Sequence, residues 1–159
     1  MNTNSEICYS TKGLEEIGLD FFPPYLMNRI MSRYNSRLRD ELTANGLTTP
    51  QMRSLAVLSV VDGMQMRELA LHAAVEQSTL SRALDNLVRH GLIRRETDKA
   101  DNRGIRIYIT SAGQEVYGRL WPFMAKGYEA MFAGISAKEE AILVIALQKI
   151  LRNISRRDF

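Results

Sequence analysis

The sequence predicts a mainly α-helical fold of the α+β class, with helices built around one β-hairpin. Three observations carry this. Apolar residues recur with a helical period in successive segments. Residues 92–109 form two runs on either side of a charged turn, the second alternating apolar and polar. Helix start and stop residues fall where the periodic segments begin and end.

Residues 1–18 show no sustained period and are expected to be a tail or short arm. Pro23 and Pro24 suit the first turn of a helix over about 22–44, closed by Asn45-Gly46. Thr48, Pro50 and Gln51 make a capping box with proline near the first helical position. Met52, Leu55, Ala56, Leu58 and Val61 give that helix an apolar face down to Asp62-Gly63. A short helix, Met66 to Ala73, and a second, Gln77 to His90, follow around a tight turn. In the second, Leu80, Ala83, Leu84, Leu87 and Val88 form one stripe. Ser78, Arg82, Asp85 and Arg89 lie opposite it. Gly91 ends this helix. Leu92–Thr97 and Gly104–Ile109 read as paired strands around the turn from Asp98 to Arg103. A helix from Thr110 or Ser111 to about Gly134, bent near Pro122, and a last one from Ser136 to about Arg152 complete the chain.

Composition narrows the function classes. The 159 residues suit one domain, and a formal net charge of +3 is mildly basic. Arg82, Arg89, Arg94, Arg95, Lys99, Arg103 and Arg106 crowd into one stretch. The single cysteine, Cys8, excludes an intrachain disulfide. No apolar run is long enough for a bilayer, and the amino terminus lacks a signal-peptide pattern. A soluble, cytoplasmic chain with no membrane partner is expected. An enzyme is not: there is no nucleotide-binding glycine loop, no Gly-x-Ser-x-Gly, no His-Glu-x-x-His and no paired cysteines. His72 and His90 have no ligand partners at helical spacing, so neither a metal nor another cofactor is expected.

The helix pair and the hairpin carry the functional reading. A helix with an apolar inner face and small polar side chains outside can enter a major groove, where hydroxyls and arginine bond bases or phosphates. Gln77, Ser78, Thr79, Ser81, Arg82 and Asn86 are the candidate contacts. The hairpin directly after the helix would carry Arg103 to the narrow minor groove. This is a winged helix-turn-helix lobe, over 47–110, whose expected partner is double-stranded DNA. The alternative is a winged-helix module that binds protein, which steep salt dependence would exclude.

From Leu47 to Gly113 the chain resembles the MarR family of bacterial transcriptional regulators. The matching residues are Leu47-Thr48 with Gln51 and Leu58, Glu68-Leu69-Ala70, Val75, and Ser78-Thr79-Leu80-Ser81-Arg82. Leu87, Gly91-Leu92-Ile93, Arg95, Asp98, Asp101, Arg103, and Thr110 with Gly113 complete the match. The resemblance implies a homodimer whose helices over 19–46 and 111–159 form the dimerisation region. It implies a palindromic operator, repression of transcription, and a wing braced by Arg95, Asp98 and Asp101, with Asp101 paired to Arg95 or another nearby base. It also implies a small anionic or aromatic effector, for which Tyr25, Arg29, Arg33 and Trp121 are the candidate contacts. A redox response through Cys8 is the alternative, although Cys8 lacks the surroundings of that subgroup. Three positions depart from the family pattern. Glu76 and Gln65 stand where Ser or Thr helix caps are usual, and Asn102 stands where the wing is usually basic.

Overall fold

The structure is a computed structural model that describes residues 11–98 and 104–156. Cys8, Asp101, Asn102 and Arg103 lie outside the described residues. The chain divides into two compact units, one reaching to Tyr117 and the other beginning at Gly118.

In the first unit, a short helix α1 (Leu14–Ile17) occupies part of the stretch read as an arm, and a 3-10 turn (Leu19–Phe21) follows it. They lead into α2 (Pro23–Ala44), α3 (Thr49–Val60), β1 (Met64–Gln65), α4 (Met66–Ala73) and α5 (Gln77–Arg89). Strands β2 (Ile93–Thr97) and β3 (Ile105–Ile109) follow, then the start of α6 (Ser111–Met131). The sheet is antiparallel in the order β1-β3-β2. In register, Ile93 faces Ile109, Arg95 faces Ile107, and Met64 also faces Ile107.

Periodicity accounts for these helices. Leu38 and Leu42 of α2, Met52, Leu55 and Leu58 of α3, and Leu69 and Ala73 of α4 are buried. Leu80, Leu84 and Leu87 of α5 join them with no exposed surface at all. Each such leucine contributes roughly 1.5–3 kcal/mol by leaving water. Two residues of the expected stripes fall outside the core: Val88 and Val61 are exposed, 38% and 51%. Val61 lies just beyond the last turn of α3, which ends at Val60 rather than at Asp62-Gly63.

The ends of these elements are held by named groups. Gln51 Oε1 accepts the Thr48 backbone N–H at 2.7 Å, closing the start of α3. Glu68 accepts the Gln65 N–H at 3.1 Å and so offsets the missing Ser or Thr cap of α4. Glu76 makes no side-chain cap on α5. Between α4 and α5, Ala74 takes the left-handed conformation, φ 50°, and Arg53 Nη1 donates to its carbonyl at 3.2 Å. Beyond the hairpin, Thr110 Oγ1 donates to Gly91 O at 2.7 Å and accepts from the Gly113 N–H at 3.1 Å. One hydroxyl thereby ties the end of the α5 turn to the start of α6. Gly113 is required by space, since a Cβ there would sit 2.1 Å from Leu92 O.

The second unit holds the rest of α6 and α7 (Ala137–Arg156). α6 continues as helix through Pro122. Tyr128 stacks on Phe132 at 4.6 Å, and its hydroxyl donates to Glu140 of α7. Ser136 opens α7: its N–H and its hydroxyl both donate to Glu139 Oε2, at 2.9 and 2.6 Å. These bonds, the hydroxyl's first, hold the Glu139 carboxyl below its ordinary pKa. Ala141 to Ser155 are all exposed in the single chain, Ile142, Ile145 and Leu151 included. No helix among the described residues is long and apolar enough to cross a membrane.

Two glycines of α6 test this packing in opposite senses. Gly113→Ala forces a methyl against the Leu92 carbonyl and is expected to cost about 1–3 kcal/mol. At Gly118, a helical position with nothing within 4 Å of an added Cβ, alanine is expected to stabilise by roughly 0.5–1 kcal/mol. Thermal unfolding of the two variants against the parent chain checks both signs.

Candidate nucleic-acid interface

Burial of one face of α5 decides what the other face shows. Gln77, Ser78, Thr79 and Arg82 are exposed, and Ser81 and Asn86 are half-buried. The structure therefore brings all six described candidate contacts onto one outward surface. Their seventh companion, Arg103, lies outside the described residues.

The arginines around this surface divide into two groups. Those of the hairpin among the described residues, Arg94, Arg95 and Arg106, are engaged internally. Arg94 pairs with Glu96 at 2.8 Å and lies over the Tyr108 ring at 4.6 Å. Arg95 pairs with Asp85 of α5 at 2.8 Å. Arg106 Nε donates to Asp98 at 2.7 Å, and its Nη1 donates to Gly63 O at 2.8 Å. Arg82 and Arg89 of α5 have no ion-pair partner among the described residues. They remain available to an external anion.

Among the described residues, Asp98 and Arg95 both bond across the wing. Asp98 is 5% exposed, accepts from Arg106, and lies 3.4 Å from Gln65 Nε2. Arg106, read from the sequence as one of the crowded basic residues, is the cation that holds Asp98. Its second bond, to Gly63 O, ties β3 to the loop before β1. The Gly63 N–H returns a bond to Ile107 O at 3.1 Å, and Asp62 Oδ1 accepts the Ile109 N–H at 2.8 Å. The partner found for Arg95 is Asp85, which fastens the wing to α5, while Asp101 lies outside the described residues.

The candidate effector contacts are spread over both units. Tyr25 and Arg29 meet on α2, where Arg29 Nη1 donates to the Tyr25 hydroxyl at 3.0 Å. That bond raises the Arg29 pKa further. Arg33 is exposed two turns along the same helix, and Trp121 belongs to the second unit, 54% exposed. A group that the sequence reading missed lies beside α2 in the first unit. Tyr117 is half-buried, with its hydroxyl raised in pKa by burial first and by Tyr34 next, while a bond to Ser59 opposes the shift. Among the described residues no three His, Cys, Asp or Glu side chains come together as a metal site.

A helix pair packed under a three-stranded wing, with a polar face turned outward, defines a winged helix-turn-helix protein. Comparison with known proteins agrees. The family model described as the MarR family matches residues 45–104. A crystal structure of a MarR-family transcriptional regulator from Silicibacter pomeroyi is 51% identical, covers 93% of this chain and 100% of its own, and superposes with a TM-score of 0.87. The transcriptional regulator HosA of Escherichia coli O157:H7 is 25% identical over 125 residues, 79% of this chain and 91% of its own. BpsR of Bordetella bronchiseptica, whose DNA binding is regulated by 6-hydroxynicotinic acid, shares the fold at 21% identity. It covers 80% of this chain and 96% of its own, with a TM-score of 0.68. This chain belongs to the MarR family, and its relatives and fold are those of transcriptional regulators rather than enzymes.

Two of the wing's ion pairs among the described residues differ in value. Arg106→Met removes a charged donor from the buried Asp98 carboxylate and is expected to cost about 2–3 kcal/mol. Arg95→Met removes a surface pair and is expected to cost less than about 1 kcal/mol. Denaturant unfolding of both variants distinguishes them. Equal losses would mean that Arg95 braces the wing as strongly as Arg106.

Proposed function

We infer that the chain is a homodimeric repressor that reads a near-palindromic operator, one α5 helix in each of two successive major grooves. The observation that carries this is the division of α5 into a fully buried leucine stripe and an outward face of small polar side chains with unpaired arginines. Gln77, Ser78, Thr79, Ser81 and Arg82 occupy the first turn and a half, where a recognition helix meets base edges. Arg103 at the wing tip is assigned to the minor groove, and Asp101 to the bracing of the wing. These two assignments rest on the family pattern. Apolar residues along α7 that stay exposed in the single chain support the dimer, since association would remove them from water. A place in the cytoplasm, beside the genome, goes with this reading.

An effector response belongs to the same proposal. BpsR, a relative in fold, answers to 6-hydroxynicotinic acid, a small aromatic acid. Here Arg29 or Arg33 of α2 would pair a carboxylate, and Tyr25 would cover a ring. Binding would favour a spacing of the two α5 helices that no longer fits successive grooves, and DNA would be released.

Selection from random-sequence duplexes, followed by sequencing of what the purified chain retains, tests the reading. The expected product is a near-palindrome with half-site centres about 10 base pairs apart. Its affinity should fall steeply as salt rises. Failure to enrich any sequence at low salt would contradict a sequence-reading repressor.

A further inference from the structure

Gln51 lies under the recognition helix and is 4% exposed. Its side-chain amide makes two bonds. Oε1 accepts the backbone N–H of Thr48 at 2.7 Å, and Nε2 donates to Asn86 Oδ1 of α5 at 2.5 Å. The first bond fixes the second. A backbone N–H can only donate, so the Gln51 atom that faces it must be the oxygen. Its nitrogen then faces Asn86 and must meet an oxygen. The Asn86 amide is therefore held with its own NH2 turned away from Gln51. A surface groove runs between the start of α3 and α5; Pro50 and Ala83 are among its apolar lining, and Thr79, Arg82, Asn86 and Arg89 supply polar side chains. Arg82 and Arg89 add two guanidinium groups to the same lining. Charge and hydrogen-bond polarity thus agree: the groove offers cations and an amide donor.

We propose that Gln51 is a positioning residue that sets Asn86 as a donor, and that Asn86 and Arg89, at the far end of this groove from the first turn of α5, hold a DNA backbone phosphate rather than a base edge. This rests on the reading of the chain as a DNA-binding protein and assigns Asn86 a different task from the first turns of α5. A free Asn amide can turn over and offer either a donor or an acceptor. One locked by Gln51 offers only the donor, which suits a phosphate oxygen whatever the base sequence. Arg89 lies one turn beyond Asn86 and Arg82 one turn before it, so the three line the same side of the helix.

The test is fluorescence anisotropy of the full chain on the selected operator, on its single-base variants and on an unrelated duplex, across a salt series. Asn86→Ala is expected to weaken every duplex alike by about tenfold, with base preferences unchanged. Asn86→Asp keeps an oxygen for Gln51 but turns a carboxylate oxygen to the groove, and should weaken binding more than alanine does. Arg89→Ala should lower the slope of log affinity against log salt by about 1. Gln51→Met should lose about as much as Asn86→Ala, and the double variant no more than Asn86→Ala alone. A changed preference at one base position in Asn86→Ala would overturn the phosphate assignment. Additive losses in the double variant would overturn the positioning role. Should Gln51→Met fail to fold by circular dichroism, the order of Asn86→Asp and Asn86→Ala decides, and a milder aspartate overturns the proposal. If the parent chain binds no duplex at all, the DNA reading itself falls, and this proposal with it.

Discussion

The burial of one side of α5 is the constraint on which the rest depends. Leu80, Leu84 and Leu87 lose all their exposed surface, and Ala83 nearly all. Rotating the helix would return that surface to water at roughly 1.5–3 kcal/mol for each leucine. No surface interaction in the unit approaches this, since exposed ion pairs contribute less than about 1 kcal/mol. The outward face therefore follows from the inward one. Its small side chains and arginines are presented because the leucines leave no other orientation.

Around this fixed helix, the arginines are allotted by what they can reach. Arg106 is spent on Asp98 and on the Gly63 carbonyl, which gives the hairpin a rigid base. Arg95 is spent on Asp85, which joins hairpin to helix. Thr110 and Gly113 fasten the far end of the hairpin to the turn after α5. Arg82 and Arg89 are left over, on the side where Gln51 also sets the Asn86 amide. Paired arginines in the described part of the hairpin, next to two helix arginines with no ion-pair partner among the described residues, leave positive charge on the face where an anionic duplex would lie.

Much of this was legible in the sequence, for reasons that particular residues make plain. Helices with strong periodicity declared themselves, and so did their punctuation at Pro23, Thr48, Gly91 and Ser136. β1 did not, because two residues, Met64 and Gln65, have no period to detect. Asp98 read as a charged turn because burial of an aspartate depends on a partner eight residues away in sequence, Arg106, facing it from the neighbouring strand. That Arg95 reaches Asp85 on the helix was hidden for a similar reason: the side chain's reach is set by packing and not by spacing. Gln51 was legible as half of a capping box. Its second bond, to Asn86, joins residues 35 positions apart and follows only from how α3 packs on α5. The exposure of α7 could be suspected from its apolar content, but needed the single chain's surface to be seen.

The central claim is that the outward face of α5 is the surface that meets DNA. Hydrogen–deuterium exchange of the full chain, free and bound to its selected duplex, tests it most directly. Peptides covering Gln77–Arg89 should exchange more slowly in the complex, while those from the middle of α7 should keep their rates. Unchanged exchange across α5, with protection gained only elsewhere in the chain, would contradict the account.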